Sequence, residues 1–437
     1  MGSDDKNVIY ITGHRNPDLD SVCSAYAYAV LKNAIDPDNK YIPVRCGHLS
    51  PSTKKIFASL GVVPPSYKRD IYPKAEDVVL TTKERPQADA VLNEIADTYS
   101  DSKPSVIPIF KGSEFFGLLS VDDITSWAMK ELSCKNCIKD IPTIKDIMRE
   151  QEEPVMMNDL FEDAKTRLSS SKKRGLAVFD DNGYVGFVTR RCFLKSPRHN
   201  VILVDHNEPR QSIKGIETAN IVEIIDHHRL DAVKTELPIF IDAEPLGSTC
   251  TIVYKQFKMH GIVPDKDTAK MLLAGLCSDT LILRSPTTTP TDVKTAEELT
   301  GILGVDLQEF GLSMFSNMEG LKTRAPEEAI SSDFKKYTEK GVKFGIGQCE
   351  VTTLQDLFDY CDLYISKLEE FRRKEDLDWA VLMITDVLKE HSILICTDHR
   401  VNKHLQYVQR QPLVYDMPGV MSRKKQLLPE IISALGM

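Results

Sequence analysis

The chain has 437 residues, of which 42% are hydrophobic and 27% are charged, and its formal net charge at pH 7 is −9. These proportions are ordinary for a globular protein of about two to four domains. The acidic balance argues against a nucleic-acid or membrane surface, and no apolar run approaches the length of a membrane span. The ten cysteines are scattered without a disulfide pattern, which is typical of a reducing cytoplasm.

A polar loop near the start of the chain is the first candidate site. Val8–Ile11 predicts a buried strand and Val22–Leu31 predicts a helix, and His14, Asp18 and Asp20 lie between them. In open α/β sheets, ligands bind where a strand ends and a helix begins. One imidazole and two carboxylates suit Mn²⁺, Co²⁺ or Zn²⁺ better than Ca²⁺. The two aspartates could instead be turn or capping residues.

Further ligand-type residues follow elements predicted later in the chain. Strands predicted at 201–205 and 221–226 each end on an aspartate, and the second is followed by His227 and His228. Asp279 follows a predicted helix. If these residues meet the first loop at one sheet edge, they could hold two metals with a bridging aspartate and a shared water. Two metals about 3.5–4 Å apart polarise a phosphoryl group and generate hydroxide near neutral pH.

An approximate internal repeat occupies residues 70–196. The segments 105–124 and 175–193 each predict a strand, a glycine-containing turn, a second strand and a Ser or Thr before a short helix. Predicted helices at 87–98 and 159–169 precede them. Paired units of this design resemble CBS domains, which pack in tandem and often bind adenine nucleotides.

The final part of the chain predicts a smaller α/β domain after a linker near 311–320. Arg423 and Lys424 lie in a basic run, and Lys335 and Lys336 form another basic pair. Such runs often form only a solvated face, but a clamp for phosphate groups is the alternative.

Five of these segments together resemble the signature set of the family II inorganic pyrophosphatases, which belong to the DHH phosphoesterases. They are Gly13–Ser21, Val204–Glu208, Asp226–His228, Ser278–Thr280 and Ser422–Gln426, and they occur in the family's order. The internal repeat makes the chain similar to the CBS-domain-containing subclass, in the form without an extra domain between the CBS units.

The resemblance implies an α/β fold with a parallel-sheet DHH domain, interrupted by a tandem CBS pair and followed by a smaller α/β C-terminal domain. The implied catalytic DHH domain has two parts, 1–68 and 199–314. The regulatory CBS insert would span 69–198, and the substrate-binding C-terminal domain would span 315–437.

The resemblance also implies residue roles. One metal would be held by His14, Asp18 and Asp205. The second would be held by Asp20, Asp205, Asp279 and either Asp226 or His227, with the family pattern favouring His227 as the ligand and Asp226 as its close support. His228 would contact the substrate and could protonate the leaving phosphate. The two phosphates would be bound by Lys335 (or its neighbour Lys336), Arg423 and Lys424.

The implied activity is hydrolysis of pyrophosphate to two phosphates by a metal-bound hydroxide. Mn²⁺ or Co²⁺ would occupy two tight sites and Mg²⁺ would accompany the substrate. A cytoplasmic homodimer is expected, with no nucleic-acid or membrane partner. Alternatives are an exopolyphosphatase or other DHH phosphoesterase, and a non-catalytic nucleotide sensor.

The repeat is expected to bind a regulatory adenine nucleotide: AMP, ADP or ATP. In CBS domains, a Ser or Thr followed three residues later by Asp typically holds the ribose hydroxyls. Ser120 and Asp123 keep this pattern, whereas Thr189 is followed by Arg190 and Arg191 and lacks the aspartate. Asp123 would then hold the ribose and the two arginines would approach the phosphates. The alternative is that the pair serves only as a dimerisation element.

Overall fold

The computed structural model describes residues 7–95, 104–133, 141–149, 152–316, 325–331, 333–351, 353–354, 357–386 and 389–436. They form two compact units, one built from the segments up to Ile71 and from Asn200 onward, the other from Tyr72–His199. Among the helices described, none combines the length and hydropathy that crossing a membrane requires.

The described chain contains both strands and α-helices. The strands are β1 (Asn7–Thr12), β2 (Asn39–Arg45), β3 (Ser66–Tyr67), β4 (Val106–Lys111), β5 (Glu114–Ser120), β6 (Val155–Met156), β7 (Gly175–Asp180), β8 (Gly183–Thr189), β9 (Asn200–Val204), β10 (Asn220–Asp226), β11 (Phe240–Ala243), β12 (Phe334–Glu339), β13 (Val342–Val351), β14 (Trp379–Asp386), β15 (His391–Cys396), β16 (Val408–Gln411) and β17 (Val414–Pro418). The α-helices are α1 (Leu19–Ile35), α2 (Pro51–Leu60), α3 (Val121–Ser133), α4 (Ile144–Ile147), α5 (Phe161–Ser170), α6 (Thr249–Met259), α7 (Lys266–Thr280), α8 (Pro290–Leu303), α9 (Leu307–Ser316), α10 (Pro326–Ser331), α11 (Cys361–Lys374) and α12 (Leu428–Ala434).

The first sheet of the larger unit has the strand order β11-β10-β9-β1-β2-β3. Its neighbouring strands are paired in parallel, which confirms the predicted parallel sheet. The chain runs from β1 to β2 on one side and later places β9 on the other side of β1. The order therefore reverses between β1 and β9, and ligands bind at the carboxyl ends of strands at such a point.

Alternate residues of this sheet pack on opposite faces. Ile202 lies in the core cluster with Val22 of α1 and Leu272 of α7. Val201 and Leu203 lie in a different cluster, which includes Ile213 and Ile216 from the segment between β9 and β10. This alternation follows from the two-residue period of a strand. Burial on both faces explains why β9 is apolar from Val201 to Val204.

The second sheet of the larger unit is mixed and has the order β12-β13-β14-β15-β17-β16. β13 and β14 pair in parallel, and the other neighbours are antiparallel. Every residue of β14 is buried, because one apolar cluster covers each face of the sheet. The last part of the chain is therefore α/β, as predicted, but it lies within the larger compact unit.

The smaller unit repeats one local pattern. β4 and β5 form one antiparallel hairpin, and β7 and β8 form another, with β6 added beside β7. Each hairpin turn contains a glycine with positive φ, Gly112 or Gly183. The predicted strand–turn–strand repeat is therefore confirmed. Of the helix predicted over 87–98, the structure describes a 3-10 turn at Leu92–Ile95, and residues 96–103 lie outside the described part.

Two sequence-based boundaries are wrong. The linker expected near 311–320 begins inside α9, where Met314 and Phe315 are buried in the core. Gly311 concealed this helix, and its missing side chain leaves room for Ile282, whose atoms lie 2.7 Å from where a Cβ would be. Asp279 does not follow its helix but lies in the last turn of α7. Residues 317–324 lie outside the described part.

Candidate active site

The loop after β1 is closed by hydrogen bonds to the start of α1. The His14 amide donates to Ser21 Oγ at 3.0 Å, and the Ser21 amide donates to Asp18 Oδ1 at 2.9 Å. A Cβ at Gly13 would lie 1.9 Å from Ser21 Oγ, so glycine is needed there. Asp18 is therefore a capping residue, and its other oxygen also lies 3.1 Å from His14 Nε2.

Asp205 lies at the centre of the cluster. Its Oδ2 is 3.4 Å from His14 Nε2, and its Oδ1 is 3.4 Å from His227 Nε2. The side chain is 1% exposed, and Oδ2 has no hydrogen-bond partner within the described chain. The backbone has φ of 60°, which is uncommon for a residue with a side chain and fits strain held at a functional position.

His227 completes a second group on the other side of Asp205. Its Nδ1 lies 3.0 Å from the Leu246 carbonyl, which accepts its hydrogen and leaves Nε2 facing the carboxylates. Nε2 is buried without a hydrogen-bond partner among described residues, and it is 3.5 Å from Asp279 Oδ2. Asp20, His227 and Asp279 present ligand atoms within 4.8 Å of one another, as do His14, Asp18 and Asp205.

The expected support of His227 by Asp226 is wrong. Asp226 Oδ1 instead accepts hydrogen bonds from the His228 amide at 3.0 Å and from His228 Nδ1 at 2.8 Å. Asn207 donates to the other oxygen at 2.6 Å. The chain turns immediately after β10, so the residue two positions later folds back on the aspartate, as in an Asx turn. Burial lowers the pKa of His228 to about 4, so its imidazole is neutral at pH 7.

The cluster holds an excess of negative charge. Burial and the charge of Asp205 raise the pKa of Asp20 to about 6, and burial and the charge of Asp20 raise that of Asp279. Burial disfavours the charged form of His14, but the carboxylates of Asp18 and Asp205 outweigh it and raise its pKa to about 10. Bound cations would relieve this repulsion.

These residues fit a divalent metal centre. Two buried ligand atoms, Asp205 Oδ2 and His227 Nε2, face the cluster without a hydrogen-bond partner in the described chain. Unsatisfied buried polar atoms are rare in proteins and call for an explanation such as an ion. Imidazole and carboxylate donors together suit Mn²⁺ or Co²⁺.

Sequence reasoning missed the start of α6, which holds two of the carboxylates. Ser248 Oγ donates to Asp20 Oδ1 at 2.6 Å, and the Thr249 amide donates to Asp20 Oδ2 at 2.7 Å. Thr249 Oγ1 also donates to Asp205 Oδ1 at 3.0 Å. The amino end of a helix favours negative charge. The available signal was Ser248 as an N-cap residue before an apolar run.

Asp292 of α8 fixes this helix start in turn. Its Oδ2 accepts from the Gly247 amide at 2.9 Å, and its Oδ1 accepts from Thr251 Oγ1 at 2.6 Å. It also caps its own helix by accepting from the amide and hydroxyl of Thr289. Asp292 is fully buried, so these bonds hold the α6 start in one orientation.

The second sheet and the turn before α12 supply the basic residues. Arg423 is buried, and its Nη1 donates to the Asp333 carbonyl at 2.7 Å and lies 3.0 Å from Asp333 Oδ1. Partial burial and the charge of Lys335 lower the pKa of Lys424 to about 8. Lys336 points to Glu375 at 2.5 Å, whereas Lys335 has no ion pair within the described chain.

One of the predicted nucleotide residues lines a cleft in the smaller unit. Ser120 lines a cleft of about 190 Å³, and the basic side chains that line it are Lys173 and Arg174. The lining includes none of Asp123, Thr189, Arg190 and Arg191, so this cleft does not bring the predicted nucleotide residues together. Thr189 ends β8, and Arg190 and Arg191 begin the 3-10 turn that follows it.

Asp123 performs a capping role in the structure. Its Oδ2 accepts from the Ser120 amide at 2.9 Å, and its own amide donates to Ser120 Oγ at 3.3 Å. Arg149 Nε lies 3.4 Å from its other oxygen. In the second half of the repeat, the Thr189 amide donates to Cys192 Sγ at 3.3 Å, so cysteine takes the position of the aspartate.

Comparisons with known proteins agree with this arrangement. The DHH family, N-terminal domain, matches residues 8–276, and the DHHA2 domain matches residues 312–434. A cobalt-dependent inorganic pyrophosphatase of Clostridium perfringens is 29% identical over 98% of this chain and 98% of its own length. A manganese-dependent inorganic pyrophosphatase of Methanothrix thermoacetophila is 38% identical over 54% of this chain and 76% of its own length.

A solved structure shows the same fold. The crystal structure of a Methanococcus jannaschii protein assigned to the family II inorganic pyrophosphatases matches with a TM-score of 0.60 and 23% identity. The match covers 98% of this chain and 100% of that one. The chain therefore belongs to the DHH family and, within it, to the inorganic pyrophosphatases.

Proposed function

We propose that the chain hydrolyses pyrophosphate to two phosphates with Mn²⁺ or Co²⁺ in two tight sites and Mg²⁺ accompanying the substrate. The observation that carries this is the position of Asp205, whose two oxygens face His14 and His227 at 3.4 Å each. The relatives named as cobalt- and manganese-dependent support the choice of metals.

The proposed ligands form two sets that share Asp205. His14 and Asp18 hold one cation with it, and the second set adds Asp20, His227 and Asp279, whose ligand atoms cluster with one another. When bound, the two cations supply Lewis acidity toward phosphoryl oxygens and activate water at neutral pH.

The basic residues bind the two phosphate groups. Burial and the charge of Lys335 lower the pKa of Lys424, but the charges of Asp279 and Asp205 oppose this shift, which supports a role for its ammonium group next to the cluster. Lys335 has no ion pair within the described chain and is free to bind an anion. Arg423 keeps a buried Nε without a hydrogen-bond partner there, although Asp333 holds its Nη1. These groups offset the negative charge that develops on the phosphate oxygens.

His228 contacts the substrate in this proposal. Because Nδ1 donates to Asp226, the neutral ring presents Nε2 as an acceptor. A bound pyrophosphate anion would favour the protonated ring, which could then donate to the leaving phosphate.

Phosphate release from pyrophosphate and from long-chain polyphosphate, each with Mn²⁺ and Mg²⁺, tests the function. We expect phosphate to be released faster from pyrophosphate than from long-chain polyphosphate. Faster release from polyphosphate would instead identify an exopolyphosphatase, and release from neither would leave a non-catalytic protein.

The two neighbouring lysines of β12 offer a matched test of phosphate binding. We expect Lys335→Ala to raise the Michaelis constant for pyrophosphate at least about tenfold, because charge-assisted hydrogen bonds contribute roughly 1.5–3 kcal/mol. Lys424→Ala should raise it similarly. Lys336→Ala should leave it unchanged, since that side chain pairs with Glu375 away from the cluster. Steady-state kinetics and metal content check this, and equal effects of the two β12 variants would contradict it.

We further propose that the smaller unit is a CBS pair that binds a regulatory adenine nucleotide in the cleft lined by Ser120, Lys173 and Arg174. Two cationic side chains and a hydroxyl, against the one carboxylate of Glu152, lie beside an apolar wall, which suits the phosphate and the base of a nucleotide. Binding can alter catalysis only if the nucleotide favours one conformation of the unit over another.

Calorimetry with AMP, ADP and ATP tests this assignment. Asp123→Ala should weaken binding, because Asp123 is hydrogen-bonded to Ser120 and so positions the Ser120 hydroxyl that lines the cleft. Asp146→Ala is the control, since Asp146 caps a helix of the same unit through Thr143 in the same way. Equal affinity of wild type and Asp123→Ala would reject the site, and no binding to wild type would reject the nucleotide altogether.

A cytoplasmic homodimer completes the proposal. The described cysteines are free thiols, as expected in a reducing compartment. Met129 and Leu132 of α3 are 64% and 70% exposed, an apolar surface suited to association with a second copy.

A further inference from the structure

A second cleft lies beside the loop after β1 in the larger unit. Its volume is about 450 Å³, and one wall is formed by residues 15–17, between the proposed ligands His14 and Asp18. The other walls come from the segments after β2 and β3 and from α10. The lining contains none of the proposed metal or phosphate residues, so the cleft is separate from the site already described.

Basic side chains dominate the lining of this cleft. Arg15, Arg69 and Lys214 line it, against one carboxylate, that of Glu328. Within the described chain, none of these three cations forms an ion pair. Many other basic side chains do, such as Lys32 with Glu223 at 2.7 Å. In a chain of net charge −9, three unpaired cations around one concave surface favour an anion as the missing partner.

The remaining lining also suits an anion. The Arg15 guanidinium donates to the Ser212 carbonyl at 3.3 and 3.1 Å, which fixes one cationic wall. Ser50 caps α2, whose first turn carries no acidic residue, so the amino end of this ten-residue helix adds partial positive charge. The rings of His48 and Tyr67 are stacked with their centroids 4.7 Å apart, and both residues line the cleft. Two planar guanidinium groups, one ammonium group and a hydroxyl are donors that can bind phosphate.

We propose that this cleft binds a phosphate group, supplied either by the distal end of a condensed phosphate longer than pyrophosphate or by free inorganic phosphate. This deepens the proposed function and rests on it, because the cleft borders the loop whose ends carry metal ligands. A longer substrate extends past the cleaved bond, and a cationic surface beside the loop that carries His14 and Asp18 can hold the extension. Released phosphate could occupy the same surface.

The experiment compares wild type with the double variant Arg69→Gln/Lys214→Gln. Both side chains are exposed and lie outside the proposed catalytic residues. The charge-matched control is Lys266→Gln/Lys294→Gln, because these exposed cations lie outside the cleft and Lys266 begins α7, at the opposite end from Asp279. For each protein, kcat/KM is measured for pyrophosphate and tripolyphosphate, and the affinity for inorganic phosphate is measured by calorimetry.

A loss of about tenfold or more in kcat/KM for tripolyphosphate, with pyrophosphate changed less than about twofold, identifies the distal phosphates of a condensed substrate. A loss of about tenfold in phosphate affinity, without a selective effect on tripolyphosphate, identifies free phosphate. If the variant matches the control in every measurement, the cleft assignment is wrong. A wild type that does not hydrolyse pyrophosphate refutes the proposed function instead, while the calorimetry still decides whether the cleft binds phosphate.

Discussion

Asp205→Asn is expected to abolish tight binding of both metal ions and to lower pyrophosphate hydrolysis by several orders of magnitude. Asp205 places one oxygen toward His14 and the other toward His227, so one change affects both ligand sets. The amide has nearly the same shape, but it lacks the charge and turns an N–H group toward one imidazole. Metal analysis after dialysis should find less than one tightly bound ion per chain.

Two comparison variants make this result specific. Asp242→Asn changes an aspartate in edge strand β11 of the same sheet, outside the cluster, and should keep both metals. His228→Ala should keep the metals and lose roughly 10²–10⁴-fold in rate, as expected for an acid or substrate contact. Two tightly bound ions in Asp205→Asn would show that the shared-ligand assignment is wrong.

The sequence predicts the parts of this site that depend on local order or on sheet edges. His14, Asp18 and Asp20 lie in one loop, so their proximity needs no knowledge of the fold. Asp205 and His227 follow strands that pair in parallel, directly or through β9, with β1. Since parallel strands end at one edge, their association follows once the strands are recognised.

The sequence could not predict contacts that depend on side-chain direction. Asp226 stands next to His227 in the chain, yet the turn after β10 gives its oxygens to His228 and Asn207. By contrast, the different surroundings of Lys335 and Lys336 follow from strand alternation, which sends neighbouring side chains to opposite faces of β12. That distinction required only the knowledge that 334–339 is a strand.

The most important feature that the sequence did not predict is the contact of the α6 start with Asp20 and Asp205, because these residues are remote from it in sequence. Ser248 is separated by 228 positions from Asp20, whose carboxylate it holds. An N-cap serine before an apolar run predicts only a helix start. That this start faces two proposed metal ligands depends on the packing of α1, α6 and α7, which no local pattern specifies.

Thr249→Val is expected to weaken binding of the tight metals by about 10- to 100-fold, the usual effect of removing a group that orients a metal ligand. The substitution removes the hydroxyl that donates to Asp205 Oδ1 at 3.0 Å. It keeps the side-chain volume and the amide that donates to Asp20. The buried Asp205 oxygen would lose its hydrogen bond, and the carboxylate would be held less firmly toward His14 and His227.

Equilibrium dialysis of Mn²⁺ or Co²⁺ measures this effect independently of activity. Thr268→Val is the matched control, because Thr268 is also fully buried in a helix and its hydroxyl has no hydrogen-bond partner within the described chain. Thr249→Ser should restore most of the affinity by returning the hydroxyl. If Thr249→Val binds metal as tightly as Thr268→Val does, Thr249 contributes only to the helix start and does not orient Asp205. If Thr249→Ser is as weak as Thr249→Val, packing rather than the hydrogen bond determines the affinity.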